Sequence, residues 1–133
     1  MNIGATGGAG EDAALEAYLQ KGFALVDRNY QTRYGEIDLI VKNDRYLVFV
    51  EVKTRTPHSR MSGVTAMTRA KKQKIFKSAL LYTQSAKFDL QPRFDMVDIA
   101  GHWAVFDQKE IFITDKITIY EAAFGSEVYD GFV

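Results

Sequence analysis

The sequence predicts an α/β protein, and three observations carry that reading. A helix-forming stretch, EDAALEAYLQK, occupies residues 11–21. Three apolar runs separated by short polar turns follow it, which is the pattern of a β-meander. A second, lysine-rich helical stretch then precedes further strand-like runs from RFDMVDIA onward.

Each element has a local cause. Ala, Leu, Glu, Gln and Lys favour a helix over 11–21, and Gly22 ends it. Glu11, Ala14, Leu15 and Tyr18 share the i, i+3, i+4, i+7 spacing, which rotates Glu16 away from the stripe. Upstream, MNIGATGGAG carries four glycines in ten residues and predicts a flexible tail over 1–10, ahead of a single domain over 11–133. FALVDRNY at 23–30 reads as the first strand, Tyr34 to Lys42 as the second and Tyr46 to Thr54 as the third, with Asn43-Asp44 supplying turn residues. Residues 55–67 read as a polar loop. Thr68 can cap a helix from Arg69 to about Ser85, whose apolar face is Ile75, Phe76, Ala79, Leu80 and Tyr82. Residues 93–100 form a fourth strand. Trp103–Phe106 and Ile111–Thr114 pair as a hairpin around residues 107–109, and IYEAAF at 119–124 suits either strand or helix.

Composition sets bounds on function. A chain of 133 residues has the usual size of one domain. It contains no cysteine, which excludes disulfides, thiolate metal sites and cysteine nucleophiles, and suits a reducing cytoplasm. No apolar run approaches a membrane span, and the first ten residues lack the regions of a signal peptide. Net charge is zero, yet Val52 to Phe88 holds nine of the 17 basic residues and no acid. That asymmetry points to a polyanion-facing surface or to a solvated lysine-rich helix face.

The chemistry concentrates in GEIDLIV at 35–41 and YLVFVEVKTR at 46–55, where Glu36, Asp38, Glu51 and Lys53 interrupt apolar runs. Ionised groups on buried strands are costly unless paired or bound to metal. Residues two apart on a strand point the same way, so Glu51 shares a face with Lys53, and Glu36 with Asp38, leaving Ile37 and Leu39 opposite. A hairpin with its loop at 43–46 opposes Lys42 to Leu47 and brings Asp38 beside Glu51. Two adjacent carboxylates repel, and a divalent ion resolves the conflict; oxygen ligands suit Mg²⁺ or Mn²⁺. A neighbouring lysine can orient an attacking water or offset charge on a phosphate. Together these are the parts of phosphodiester hydrolysis, against the plainer reading of a strand-end ion pair.

The early helix acid, GEIDLI and FVEVKTR resemble the PD-(D/E)xK, restriction-endonuclease-like superfamily. More closely, with TRAKKQK at 68–74, RFDMV at 93–97 and AAF at 122–124, the chain resembles the uncharacterised bacterial YraN-like family, relatives of archaeal Holliday-junction resolvases. The resemblance implies a mixed, mostly antiparallel sheet flanked by helices. It implies metal ligands at Asp38, Glu51 and Glu11, and a catalytic lysine at Lys53. Ile37 stands where the superfamily has proline. Glu36 reads as an outer ligand or as the partner of an arginine. Lys71 matches a family lysine and suits phosphate binding, or is a surface lysine; Lys72, Lys74, Arg55 and Arg60 join it as candidate contacts to a nucleic-acid backbone. Arg93 and Asp95 read as a bracing pair, and His58 and His102 as solvent-facing. The expected activity is a Mg²⁺-dependent endonuclease acting on DNA, branched or structured; the alternative is a nucleic-acid- or partner-binding module without turnover. Resolvase-like relatives often work as dimers, and the hairpin at 102–114 is the candidate surface for a homodimer.

Overall fold

A computed structural model describes residues 3–57, 68–85 and 89–124. Seven elements follow in the order α1 (Ile3–Gln20), β1 (Ala24–Thr32), β2 (Gly35–Lys42), β3 (Tyr46–Arg55), α2 (Arg69–Ser85), β4 (Gln91–Phe106) and β5 (Lys109–Phe124). The strands form one mixed sheet in the order β1-β2-β3-β4-β5. All neighbours are antiparallel except β3 and β4, which run parallel and are joined through α2. The α/β class and the mixed, mostly antiparallel sheet between two helices are as expected.

The first difference is at the N-terminus. Helix α1 begins at Ile3, so it runs through the glycine-rich segment expected to be a tail. Glycine weakens a helix through backbone entropy, which is why the segment reads as coil. Gly10 shows what outweighs that cost: it is buried where α1 meets β3, and a Cβ there would fall on the Thr54 hydroxyl. The rest of α1 follows its stripe. Ala14 and Tyr18 are fully buried, Glu11 and Leu15 are half-buried, and Glu16 is exposed. Gly22 takes φ +92°, and the Phe23 N–H returns to the Tyr18 carbonyl at 3.0 Å, closing the helix.

The meander forms with the expected register. Lys42 pairs with Leu47, and Leu39 with Val50. The Asn43 side chain accepts the N–H groups of Arg45 and Tyr46 at 2.9 and 2.7 Å, so one Asn side chain sets the turn. Thr68 caps α2 by accepting the Lys71 N–H at 3.2 Å. Its buried face is Ile75, Phe76, Ser78, Ala79 and Tyr82. Leu80 is exposed instead, because it lies one helical step round from Ala79; Ser78 takes its place by bonding the Thr32 hydroxyl at 2.8 Å.

The sheet buries an apolar cluster on each face. Ile40, Leu47, Phe49 and Phe94 pack under Ile75, Phe76 and Tyr82 of α2. Leu39, Val41, Val48, Val50, Val97 and Ile99 pack under Ala14 and Tyr18 of α1. Asp95 is completely buried and ties α1 to β4 and β5. It accepts the Tyr18 hydroxyl at 2.7 Å, both arms of the Arg93 guanidinium at 2.9 and 2.8 Å, and the Ala122 N–H at 3.0 Å. Arg93 and Asp95 therefore brace the fourth strand, as expected.

Strand β4 is one 16-residue element that includes the expected fourth strand and first hairpin arm. A register shift at Ala100/Gly101 lets it continue, and a Cβ at Gly101 would strike the Phe112 ring. Asp107 and Gln108 both take positive φ, forming a two-residue turn, so Lys109 belongs to β5 rather than to the loop. IYEAAF resolves as strand. His102 is solvent-facing and paired with Asp115 at 2.8 Å. No helix among the described residues is long and apolar enough to cross a membrane.

Candidate metal centre

The β2–β3 ladder is paired from Lys42↔Leu47 to Leu39↔Val50. One residue further, the Val52 N–H donates to the Asp38 carboxylate at 2.8 Å. Side chain thus replaces main chain as the acceptor where the two strands part. Asp38 and Glu51 meet at this point. The strict alternation expected along β2 also breaks here: Ile37 packs beneath α2 with Ile40, while Leu39 packs beneath α1. Across the β1–β2 register, between Arg28↔Leu39 and Tyr30↔Ile37, Asn29 sits opposite Asp38 in a left-handed conformation, φ 54°. That local turn of β1 accompanies the change of face.

Four acids converge on the parting strands. Glu11, Glu36 and Asp38 each offer a carboxylate oxygen within 4.8 Å of the others, a spacing that could hold a metal ion. The Asn29 amide bridges two of them, donating to Glu11 at 3.0 Å and Glu36 at 2.7 Å. Arg28 supports the same edge, 3.5 Å from Glu11 and 2.7 Å from Asp12. Burial, then the charges of Glu51 and Glu11, push the Asp38 carboxyl up to about 8, against the pull of the Val52 N–H. Asp38 is therefore disfavoured as an anion. The hard oxygen donors of the three acids suit a divalent cation.

Glu51 is 8% exposed and is not one of that trio. One oxygen, Oε1, receives two lysines: Lys71 at 3.3 Å and Lys53 at 3.7 Å. Burial and the neighbouring Lys71 push the Lys53 ammonium below its ordinary range. Burial also works against charge on Lys71, but its bonds to Lys53 and Glu51 outweigh it and hold the group above its ordinary range. The face opens on a cleft of about 390 Å³ lined by Tyr34, Glu36, Glu51, Thr68, Lys71 and Lys74 among others.

The remaining expected contacts divide. Lys74 is exposed on the cleft wall, and Lys72 lies 5.9 Å from the Phe124 ring. Arg55 is not a loop residue: it ends β3 and holds buried Asp98 through two bonds of 3.0 and 3.1 Å. Its fork geometry matched an internal carboxylate, so a structural partner already holds it. Arg60 and His58 lie outside the described residues. Glu36, expected as an outer ligand or arginine partner, stands within the acid trio and bonds Asn29 and Gln31. Asn29 and Arg28 were not anticipated. The only local signal at Asn29 is its residue type, since Asn tolerates the left-handed region better than most.

The profile of the uncharacterised protein family UPF0102 matches residues 10–99, which span this whole centre. The chain belongs to the UPF0102 family. Among similar members, a UPF0102 protein of Fusobacterium nucleatum is 36% identical, covering 76% of this chain and 86% of its own. One of Shewanella amazonensis is 41% identical over 68% of this chain and 84% of its own. One of Legionella pneumophila is 42% identical over 68% and 79%. The family segment takes in Glu11, Asn29, Glu36, Asp38, Glu51, Lys53 and Lys71, and stops before the β4–β5 hairpin tip.

Proposed function

We propose that this UPF0102 protein is a divalent-cation-dependent endonuclease that hydrolyses phosphodiester bonds of DNA, with branched or structured DNA as its substrate class. One observation carries the reading: Asp38 and Glu51 converge where β2 and β3 part, with Lys53 one pleat further on the same strand. The resemblance to PD-(D/E)xK nucleases supports the same assignment. Asp38, with Glu51, Glu11 and Glu36, would hold Mg²⁺ or Mn²⁺, which when bound supplies a Lewis acid and a water of lowered pKa. Lys53 is positioned to orient an attacking water and to offset charge gathering on the phosphate. Hydrolysis adds that water across one P–O bond and leaves a phosphomonoester and a hydroxyl end. Lys71 and Lys74 line the cleft in which the backbone would lie, and Lys72 extends the basic helix.

The test is cleavage of branched, flapped and single-stranded DNA in Mg²⁺ or Mn²⁺ by the wild type, Lys53→Ala and Asp38→Ala. Cleavage confined to the wild type supports the reading. Cleavage that survives in both variants comes from a contaminant and overturns it.

A second reading is a binding module without turnover, and one observation favours it. Two lysines, Lys53 and Lys71, already counter the Glu51 charge. That module would bind nucleic acid through Lys71, Lys72 and Lys74 in a salt-dependent manner, indifferent to divalent ions. A thermal shift produced by Mn²⁺ and abolished in Glu51→Ala counts against it.

A further inference from the structure

Two lysine side chains from different elements converge on one oxygen of a buried carboxylate. Lys53 comes from β3, two residues along from Glu51 itself. Lys71 comes from the first turn of α2 and lies closer, at 3.3 Å against 3.7 Å. One carboxylate oxygen thus serves two lysines, which repel each other whenever both are charged, so the arrangement is electrostatically over-supplied.

A divalent ion coordinated to Glu51 would bind its oxygen at about 2 Å. A lysine 3.3 Å from that same oxygen would then face two positive charges at close range. Lys53 shares Glu51's strand and face, so the backbone holds it there. The Lys71 side chain is 36% exposed, stands on a four-carbon stem and borders the cleft that also holds Lys74 and Glu36. It has somewhere to go.

We infer that Lys71 is a placeholder for the divalent cation on Glu51, displaced into the cleft when that cation binds and presented there to a phosphate of the nucleic-acid backbone. This rests on the reading of Glu51 as a metal ligand. Lys71 is then more than one basic contact among several. Without metal its charge is committed to Glu51. With metal it is available to a polyanion, so divalent ion and nucleic acid bind cooperatively through one side chain. By linkage, the factor by which metal strengthens nucleic-acid binding is also the factor by which nucleic acid strengthens metal binding.

The consequence has an unusual sign: removing a positive charge that helps bind the substrate should strengthen metal binding. Mn²⁺ titrations of the DNA-free protein by calorimetry would compare wild type, Lys71→Met, Lys71→Arg and Glu51→Gln. Lys71→Met keeps the stem and loses the charge, and should bind Mn²⁺ roughly tenfold more tightly, within the usual range of such couplings. Lys71→Arg keeps the charge and should stay near the wild type. In Ca²⁺, a non-hydrolysing probe, affinity for a branched DNA should rise for the wild type and not for Lys71→Met. Thermal unfolding checks each variant, and Lys71→Gln repeats the measurement should the methionine variant misfold. If Glu51→Gln weakens Mn²⁺ binding while Lys71→Met leaves it unchanged or weaker, the metal site stands and the placeholder is overturned. If Glu51→Gln binds Mn²⁺ like the wild type, Glu51 is no ligand, and the metal-site reading fails before the placeholder is reached.

Discussion

Asp38 illustrates how one residue can oppose the fold that positions it. Its carboxyl rises from an ordinary 3.8 to about 8, first through burial and then through Glu51. The folded chain therefore keeps a proton that the unfolded chain has already released. Stability contributed by protonated Asp38 is present at low pH and is lost as pH climbs through the window from about 4 to 8. Asp38→Asn lacks that loss and can still accept the Val52 N–H. In metal-free urea titrations, the variant's advantage over the wild type should grow between pH 5 and pH 8. An advantage that stays constant with pH would show that Asp38 is ionised throughout.

Asn29 raises a different issue at the same scale. It holds a left-handed backbone conformation inside a strand, and its amide joins Glu11 to Glu36. A left-handed position costs a residue with a Cβ on the order of 1–2 kcal/mol, which glycine escapes. Asn29→Ala should lose roughly 1–3 kcal/mol, combining that cost with the missing bonds. Asn29→Gly should lose less, because it keeps only the second penalty. Equal losses in denaturant titrations would mean that the backbone conformation contributes nothing.

At the scale of elements, α1 depends on one close approach. Gly10 is buried against the Thr54 hydroxyl at the far end of β3, and Glu11, the next residue, joins the acid cluster. Gly10→Ala would normally favour a helix. Here the added methyl should push α1 off the sheet and cost roughly 1–3 kcal/mol, the usual range for overpacking. Thr54→Ala removes the atom in the way. The double variant should therefore recover most of the loss in thermal unfolding. Additive losses would place the strain elsewhere. The same contact explains why a glycine-rich segment with the composition of a tail is helical. Gly4, Gly7, Gly8 and Gly10 carry coil propensity, and only the packed sheet supplies the reason to pay the entropy of a helix. By contrast, α2 was legible because Thr68, the lysines and the apolar spacing all act within the segment itself.

At the scale of the whole molecule, two apolar clusters hold a sheet whose β2 and β3 separate at one end, and the acids gather there. A cation that binds this cluster must displace the proton on Asp38, so metal and pH are coupled. Mn²⁺ should raise the melting temperature more at pH 8 than at pH 5.5, since ligand binding stabilises only as far as the ligands are deprotonated. Glu36→Gln and Glu51→Gln should each reduce the shift at pH 8. A shift equal at both pH values would exclude Asp38 from the ligand set.

The sequence by itself determined the β2–β3 register, the turn at Asn43, the cap of α2 and the shared face of Glu51 and Lys53. Each follows from periodicity or turn chemistry among residues close in the chain. Only the tertiary structure decided which groups complete the centre. Asn29 reaches Glu11 across 18 residues, and Arg55 turns to Asp98 across 43. Lys71 closes on Glu51 from a separate helix, and Gly10 turns a glycine-rich stretch into part of α1. Those partners have no sequence period, because packing brings them together and burial gives each charge a reason to find its opposite.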